Sequence, residues 1–180
     1  MLQKLKLSEL NRLDTEGFKK ATKLQFTVVL DNVRSMHNVG SVFRTSDAFR
    51  CEKLVLCGIT ATPPHREITK TAIGADKSVD WVYSQSTLEY LVRLKHAGYT
   101  IYGIEQVTNS QALQDTKWPG GKVAFVFGNE IDGISQEVIE ICDACIEIPQ
   151  VGTKHSLNIS VAAGIVLWEY ARVHLSQLQS

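Results

Sequence analysis

The chain lacks any apolar run long enough to cross a bilayer. Its longest, Val161 to Trp168, falls far short of the roughly 20 residues a membrane helix needs. The opening MLQKLKLSEL has no signal-peptide core of about 7–15 apolar residues, so a cytoplasmic protein is expected. Proline is scarce, at 4 residues, and the 12 glycines show no period, which excludes collagen-like and proline-rich classes. An excess of either charge is also missing: 19 Lys and Arg balance 19 Asp and Glu. Neutrality removes the usual signature of a polyanion-binding surface. No G-x-G-x-x-G follows the first apolar run and no G-x-x-x-x-G-K-[ST] occurs, which disfavours dinucleotide and P-loop sites. A G-x-S-x-G elbow is absent too, so Ser156 beside His155 is no hydrolase signature.

Cysteine is sparse, at positions 51, 57, 142 and 145. Cys51 and Cys57 are too far apart for a zinc ribbon, and Cys142-Asp-Ala-Cys145 precedes a strand where a redox motif would open a helix. All four are expected to be buried small hydrophobes, with no metal.

What remains is the composition of one soluble domain, 180 residues long, 44% hydrophobic and 21% charged. The neutral total hides a division. Residues 1–80 carry 13 basic and 9 acidic side chains, residues 81–180 carry 6 and 10. Arg34, Arg44, Arg50 and Arg66 all lie in the basic part, the expected side for a polyanion.

Residues 8–22 pattern as a short amphipathic helix with Lys19, Lys20 and Lys23 at its end, so residues 1–25 form a helical extension. From residue 26 onward six strand-like runs appear: 26–30, 53–57, 80–84, 99–104, 122–127 and 144–149. Helical candidates lie at 39–49, 65–73, 86–97, 134–141 and 158–178. Continuous β-branched runs separated by helix-length segments give an α/β class, a parallel six-stranded sheet flanked by helices.

Ligands of open parallel sheets bind beyond the carboxyl ends of the strands. Three segments stand there. The first, Asn38-Val-Gly40-Ser-Val-Phe-Arg44, reads as an Asn-capped helix whose Arg44 sits near apolar Val42, Phe43 and Phe49. Such a cation suits a phosphate or an alkoxide, although a solvated Arg or an ion pair with Asp47 reads equally well locally. The second, Phe127-Gly128-Asn129-Glu130-Ile-Asp132-Gly133, has a glycine that lets backbone approach closely and a glutamate suited to the start of the next helix. The third runs from Ile148-Pro149 through Gly152 to Ser156-Leu157-Asn158, where Ser156 and Asn158 suit caps of the last helix.

Together and in this order, the segments resemble the SpoU (TrmH-like) branch of the SPOUT RNA methyltransferases over residues 26–175. Ala48 stands one place later than in the tightest form of the first motif. The resemblance implies a deep trefoil knot near the C-terminus, a homodimer, and S-adenosylmethionine held in the knotted loops. It implies a cofactor site at Ile104, Glu105, Gly128, Ile148 and Leu157, and a catalytic centre of Asn38, Arg44, Glu130, Ser156 and Asn158. The reaction implied is methylation of a ribose 2′-hydroxyl in transfer or ribosomal RNA. Arg44 and the lysines 19, 20 and 23 are the expected RNA contacts. Two other readings are a non-catalytic RNA-binding module of the same fold and a base methyltransferase of the wider superfamily.

Overall fold

A computed structural model describes residues 1–178, apart from the side chain of Leu7. All six expected strands are present: β1 (Leu24–Asp31), β2 (Cys51–Cys57), β3 (Trp81–Ser84), β4 (Thr100–Ile104), β6 (Val123–Phe127) and β7 (Ala144–Glu147). The sheet has seven strands, however. The extra one, β5 (Gln111–Ala112), lies at the edge and pairs with β7 alone. Two residues, one of them Gln, leave no apolar run to read. The order is β3-β2-β1-β6-β4-β7-β5, and every pairing is parallel.

Helices cover both faces, which is why β1 and β6 are apolar at successive positions instead of alternating. On one face Phe26, Val28, Leu30 and Phe125 pack with α2 (Met36–Ala48), α3 (Arg66–Ala72) and α7 (Ile159–His174). On the other, Val29, Val55 and Val126 meet α5 (Thr87–His96) and α6 (Gln136–Ile141) through Leu91, Leu94 and Val138. Leu91 is fully buried, so truncating it to Ala is expected to cost about 2–5 kcal/mol.

The amino-terminal helix expected over 8–22 is broken. A 3-10 turn at Leu7–Leu10 ends on Asn11 at φ 47°, and α1 (Thr15–Lys20) starts anew from Asp14, whose side chain accepts the Gly17 amide at 2.7 Å. One buried residue, Phe18, holds α1 to the domain, too little apolar surface to sustain a longer helix. A further turn, α4 (Ala75–Ser78), was not legible because it has four residues and begins after Gly74 at φ 88°. The last helix ends at His174 and tightens into a 3-10 turn, Leu175–Leu178.

α2 begins earlier than its sequence suggests. Ser35 is the cap, accepting the Asn38 amide at 3.3 Å, so Asn38 lies inside the first turn with its side chain released for other work. Gly40 lets α2 and α3 touch. A Cβ there would stand 2.3 Å from the Ile68 carbonyl oxygen.

Candidate active site

The carboxyl ends of β6, β4 and β7 lie side by side and open into one cleft of about 770 Å³, within the size range of small-molecule sites. All five expected cofactor residues, Ile104, Glu105, Gly128, Ile148 and Leu157, line it. Glu130, Ser156 and Asn158 line it as well. Two of the named catalytic residues, Asn38 and Arg44, do not.

The loop after β6 is built by its own polar atoms. Asn129 and Gly133 exchange two backbone hydrogen bonds of 3.0 Å. The Asn129 side chain accepts the amides of Ile131 at 2.8 Å and Asp132 at 3.2 Å, and donates to the Asn32 carbonyl at 2.7 Å. Gly128 is required where this loop folds back, because a Cβ would come within 2.2 Å of the Gly133 backbone. Glu105 braces the far side: its carboxylate accepts the amides of Gln106 at 2.9 Å and Ile134 at 3.1 Å.

So held, Glu130 reaches the start of α2, not of the helix that follows it. One carboxylate oxygen accepts the Arg34 amide at 3.0 Å; the other accepts the Ser35 amide and the Asn38 side chain, both at 3.1 Å. Burial pushes the Glu130 carboxyl upward, but the amides of Arg34, Ser35 and Glu130 itself, with Asn38, outweigh it and hold it below the usual carboxylate range. Asn38 in turn accepts from the Asn158 side chain at 3.1 Å. Asn158 caps α7 as expected, accepting the Ser160 amide at 2.9 Å. A chain of hydrogen bonds therefore joins all three sequence segments at the cleft edge. Gln106 adds a clasp, donating to the His155 carbonyl at 3.0 Å and fastening the last loop over the cleft.

Arg44 lies elsewhere. It is exposed on α2 and lines a second groove of about 290 Å³ with Leu13, Asp14, Phe18, Asp47 and Ile73. Asp47 does not pair with it but accepts a hydrogen bond from Ser78. Lys19 and Lys20 are exposed on α1. Lys23 stands beyond the helix, its ammonium folded onto the carbonyls of Phe18, Lys19 and Ala21 and 4.3 Å from the Phe18 ring centre. Burial there lowers its pKa.

Burial pushes the thiols of Cys51, Cys57 and Cys142 up to about 12 and raises Cys145, so all four are held protonated; Cys51, Cys57 and Cys145 are buried as expected, whereas Cys142 is only half-buried. Among the described residues no group of His, Cys, Asp and Glu is arranged to hold a metal ion, and no helix is long and apolar enough to cross a membrane.

Sequence reading missed Asn129, whose loop-forming role needs both ends of the loop in view, and Asn32, whose left-handed φ of 55° turns the chain at the end of β1. It also missed that Arg34 and Ser35 serve through their amides. An Asn-x-x-x-Gly stretch after a strand is the signal that points to the Asn129 loop.

The chain is similar to known proteins over most of its length. The model of the SpoU rRNA Methylase family matches residues 25–168. A mouse tRNA (guanosine(18)-2′-O)-methyltransferase, TARBP1, is 31% identical over 91% of the chain, which spans 11% of that protein. The 23S rRNA (guanosine-2′-O-)-methyltransferase RlmB of Neisseria meningitidis is 32% identical over 81% of the chain, which spans 57% of it. The chain thus covers less than two thirds of the length of either relative. An AdoMet-bound rRNA methyltransferase from Sinorhizobium meliloti superposes with a TM-score of 0.79 at 28% identity, over 86% of this chain and 58% of that one. With the three motif segments joined at one cleft and the family model spanning most of its length, the chain belongs to the SpoU rRNA methylase family.

Proposed function

We propose that the chain transfers a methyl group from S-adenosylmethionine to a ribose 2′-hydroxyl of transfer or ribosomal RNA, acting as a cytoplasmic homodimer. The observation that carries this reading is the hydrogen-bonded chain Glu130–Asn38–Asn158, which assembles the three motif segments at the mouth of the cleft. The relatives named for guanosine 2′-O-methylation support it.

The cleft suits the cofactor. Ile104, Ile148 and Leu157 offer apolar walls for an adenine ring, and Glu105, Asp132 and Glu147 give it a negative lining that matches a sulfonium. Bound there, S-adenosylmethionine supplies an electrophilic methyl group. The residues of the chain align and stabilise. Glu130 and Asn158 fix loop positions, since their polar atoms are spent on amides and on Asn38. Ser156, exposed at the cleft, contacts the acceptor nucleotide. Arg44 stands outside the cleft, in the neighbouring groove, where it grips a phosphate of the bound RNA. A guanidinium with a pKa above about 12 does not take the proton.

The dimer forms through α7. Val161, Ile165 and Trp168 recur at helical spacing on its exposed face, and Trp168 meets Phe49, at the end of α2, with ring centres 5.9 Å apart. Gly164 on the same helix has open space where a Cβ would stand, so a second helix can approach closely. The catalytic domain begins with β1 at Leu24, two residues before the expected 26, and the residues ahead of it are an extension whose Lys19 and Lys20 contact RNA. The chain ties a trefoil knot near its C-terminus, as its resemblance to the SpoU branch implies.

The test is incubation of labelled cofactor with unmodified transfer RNA and ribosomal RNA, followed by nucleoside mass analysis. A ribose-methylated product is expected. Methylated base, or cofactor neither bound nor consumed, overturns the reading in favour of a base methyltransferase or a non-catalytic module.

A further inference from the structure

Ribose methylation needs an acceptor for the hydroxyl proton, and the residues placed at the catalytic centre do not supply one. Glu130 and Glu105 each spend both carboxylate oxygens on backbone amides or Asn38, and Arg44 stays protonated. His155 lines the cleft, but among the described residues no group orients its ring; its carbonyl alone is bonded, to Gln106.

His37 is different. It precedes Asn38 in the first turn of α2, with 57% of its side chain exposed. Its Nε2 lies 2.5 Å from a carboxylate oxygen of Glu67 in α3. That contact holds the Glu67 carboxyl below its usual range, so the carboxylate accepts and Nε2 carries the proton. No hydrogen bond occupies Nδ1 among the described residues, which leaves its lone pair to solvent. The backbone is pinned as well, since Thr71 Oγ1 donates to the His37 carbonyl at 3.1 Å. The other charged groups of the α3 side near this pair are His65 and Lys70. His37 and Arg44 stand seven residues apart, hence on one face of α2, separated by about 10 Å along the axis. A ribose at His37 and a phosphate of the neighbouring nucleotide at Arg44 fit that interval, with the ribose at the end of α2 where Asn38 bonds to Glu130 and Asn158.

We infer that His37, oriented by Glu67, is the proton acceptor for the ribose hydroxyl. The inference rests on the ribose-methylation reading. The 2′-oxygen bonds to the methyl carbon, the carbon–sulfur bond breaks with its electron pair left on sulfur, and the hydroxyl proton passes to Nδ1 and then to water. The pairing is the one that makes an imidazole a base elsewhere: a carboxylate fixes the tautomer and steadies the charge as it forms.

Substitutions at His37, Glu67 and His155, read by kinetics, calorimetry and NMR, test it. His37→Ala is expected to lower single-turnover methyl transfer about 10²–10⁴-fold, with cofactor affinity by calorimetry unchanged and partial rescue by added imidazole. His37→Gln keeps a donor for Glu67 without a base and is expected to stay equally slow. In the cofactor-free protein, nitrogen NMR of the His37 ring is expected to show the proton on Nε2, with that preference lost in Glu67→Gln. Wild-type rates in His37→Gln, loss without imidazole rescue, a proton on Nδ1, or a rescuable loss in His155→Ala in place of His37→Ala overturns the inference. A wild-type protein that methylates no ribose overturns the underlying reading instead, and the NMR result then stands apart from it.

Discussion

Glu130 shows how far a residue type alone informs. Its position after an apolar strand marked it as a site residue, yet its partners, Arg34, Ser35 and Asn38, lie more than ninety positions earlier and no local pattern names them. Because its folded pKa is depressed, the carboxylate stabilises the fold above the ordinary glutamate range, and that contribution is lost as pH falls through the lower folded value. Glu130→Gln is therefore expected to lower stability at pH 7 by about 1 kcal/mol, after screening by solvent. The gap between variant and wild-type melting temperatures should shrink below about pH 4, and a gap constant from pH 7 to pH 3 contradicts it. Gly128→Ala is a harsher change. The clash is with the Gly133 backbone, which has no rotamer to yield, so loss of cofactor binding measured by calorimetry is expected even where the fold survives.

At the scale of elements, the apolar runs read well because a doubly covered parallel strand has to be apolar throughout. The six runs became β1, β2, β3, β4, β6 and β7. The two-residue β5 and the four-residue α4 carry too few side chains for any period to show. The stretch 8–22 misled for the opposite reason: its residues favour a helix, but the domain offers α1 little beyond a pocket for Phe18. In α2 the sequence located the helix and missed the division of labour between its sides. Gly40 faces α3, Asn38 faces the cleft, and Arg44 faces solvent. Gly40→Ala is expected to wedge α2 from α3 and destabilise by about 1–3 kcal/mol in a urea titration. A change under half a kcal/mol means that the two helices can shift apart freely.

For the whole molecule, neutrality proved to be an average over unlike parts. The acidic part contributes Glu105, Asp132 and Glu147 to the cleft, while the exposed Arg34, Arg44 and Arg66 sit on the first part. RNA affinity is then expected to be modest and strongly dependent on salt. Replacing both Lys19 and Lys20 with Ala should flatten the plot of log affinity against log salt by nearly one unit per phosphate contact removed; an unchanged slope places the RNA elsewhere. If the proposed homodimer forms, Trp168→Glu, which sets a charge in the middle of the exposed apolar face of α7, should yield a monomer by sedimentation where the wild type sediments as a dimer. A dimer that persists assigns the interface to another surface.

The bonds that close the site also set when it can exist. Asn38 waits for Glu130, 92 positions later, and for Asn158, 120 positions later. At synthesis rates of about 5–20 residues per second, the second partner follows the first turn of α2 by on the order of ten seconds. During that interval the growing chain can pair β1 with β2, but the cleft has no rear wall until β7 slides in between β4 and β5. The proposed cofactor cleft is thus completed last, since Asn38 finds its second partner only once Asn158 has been made.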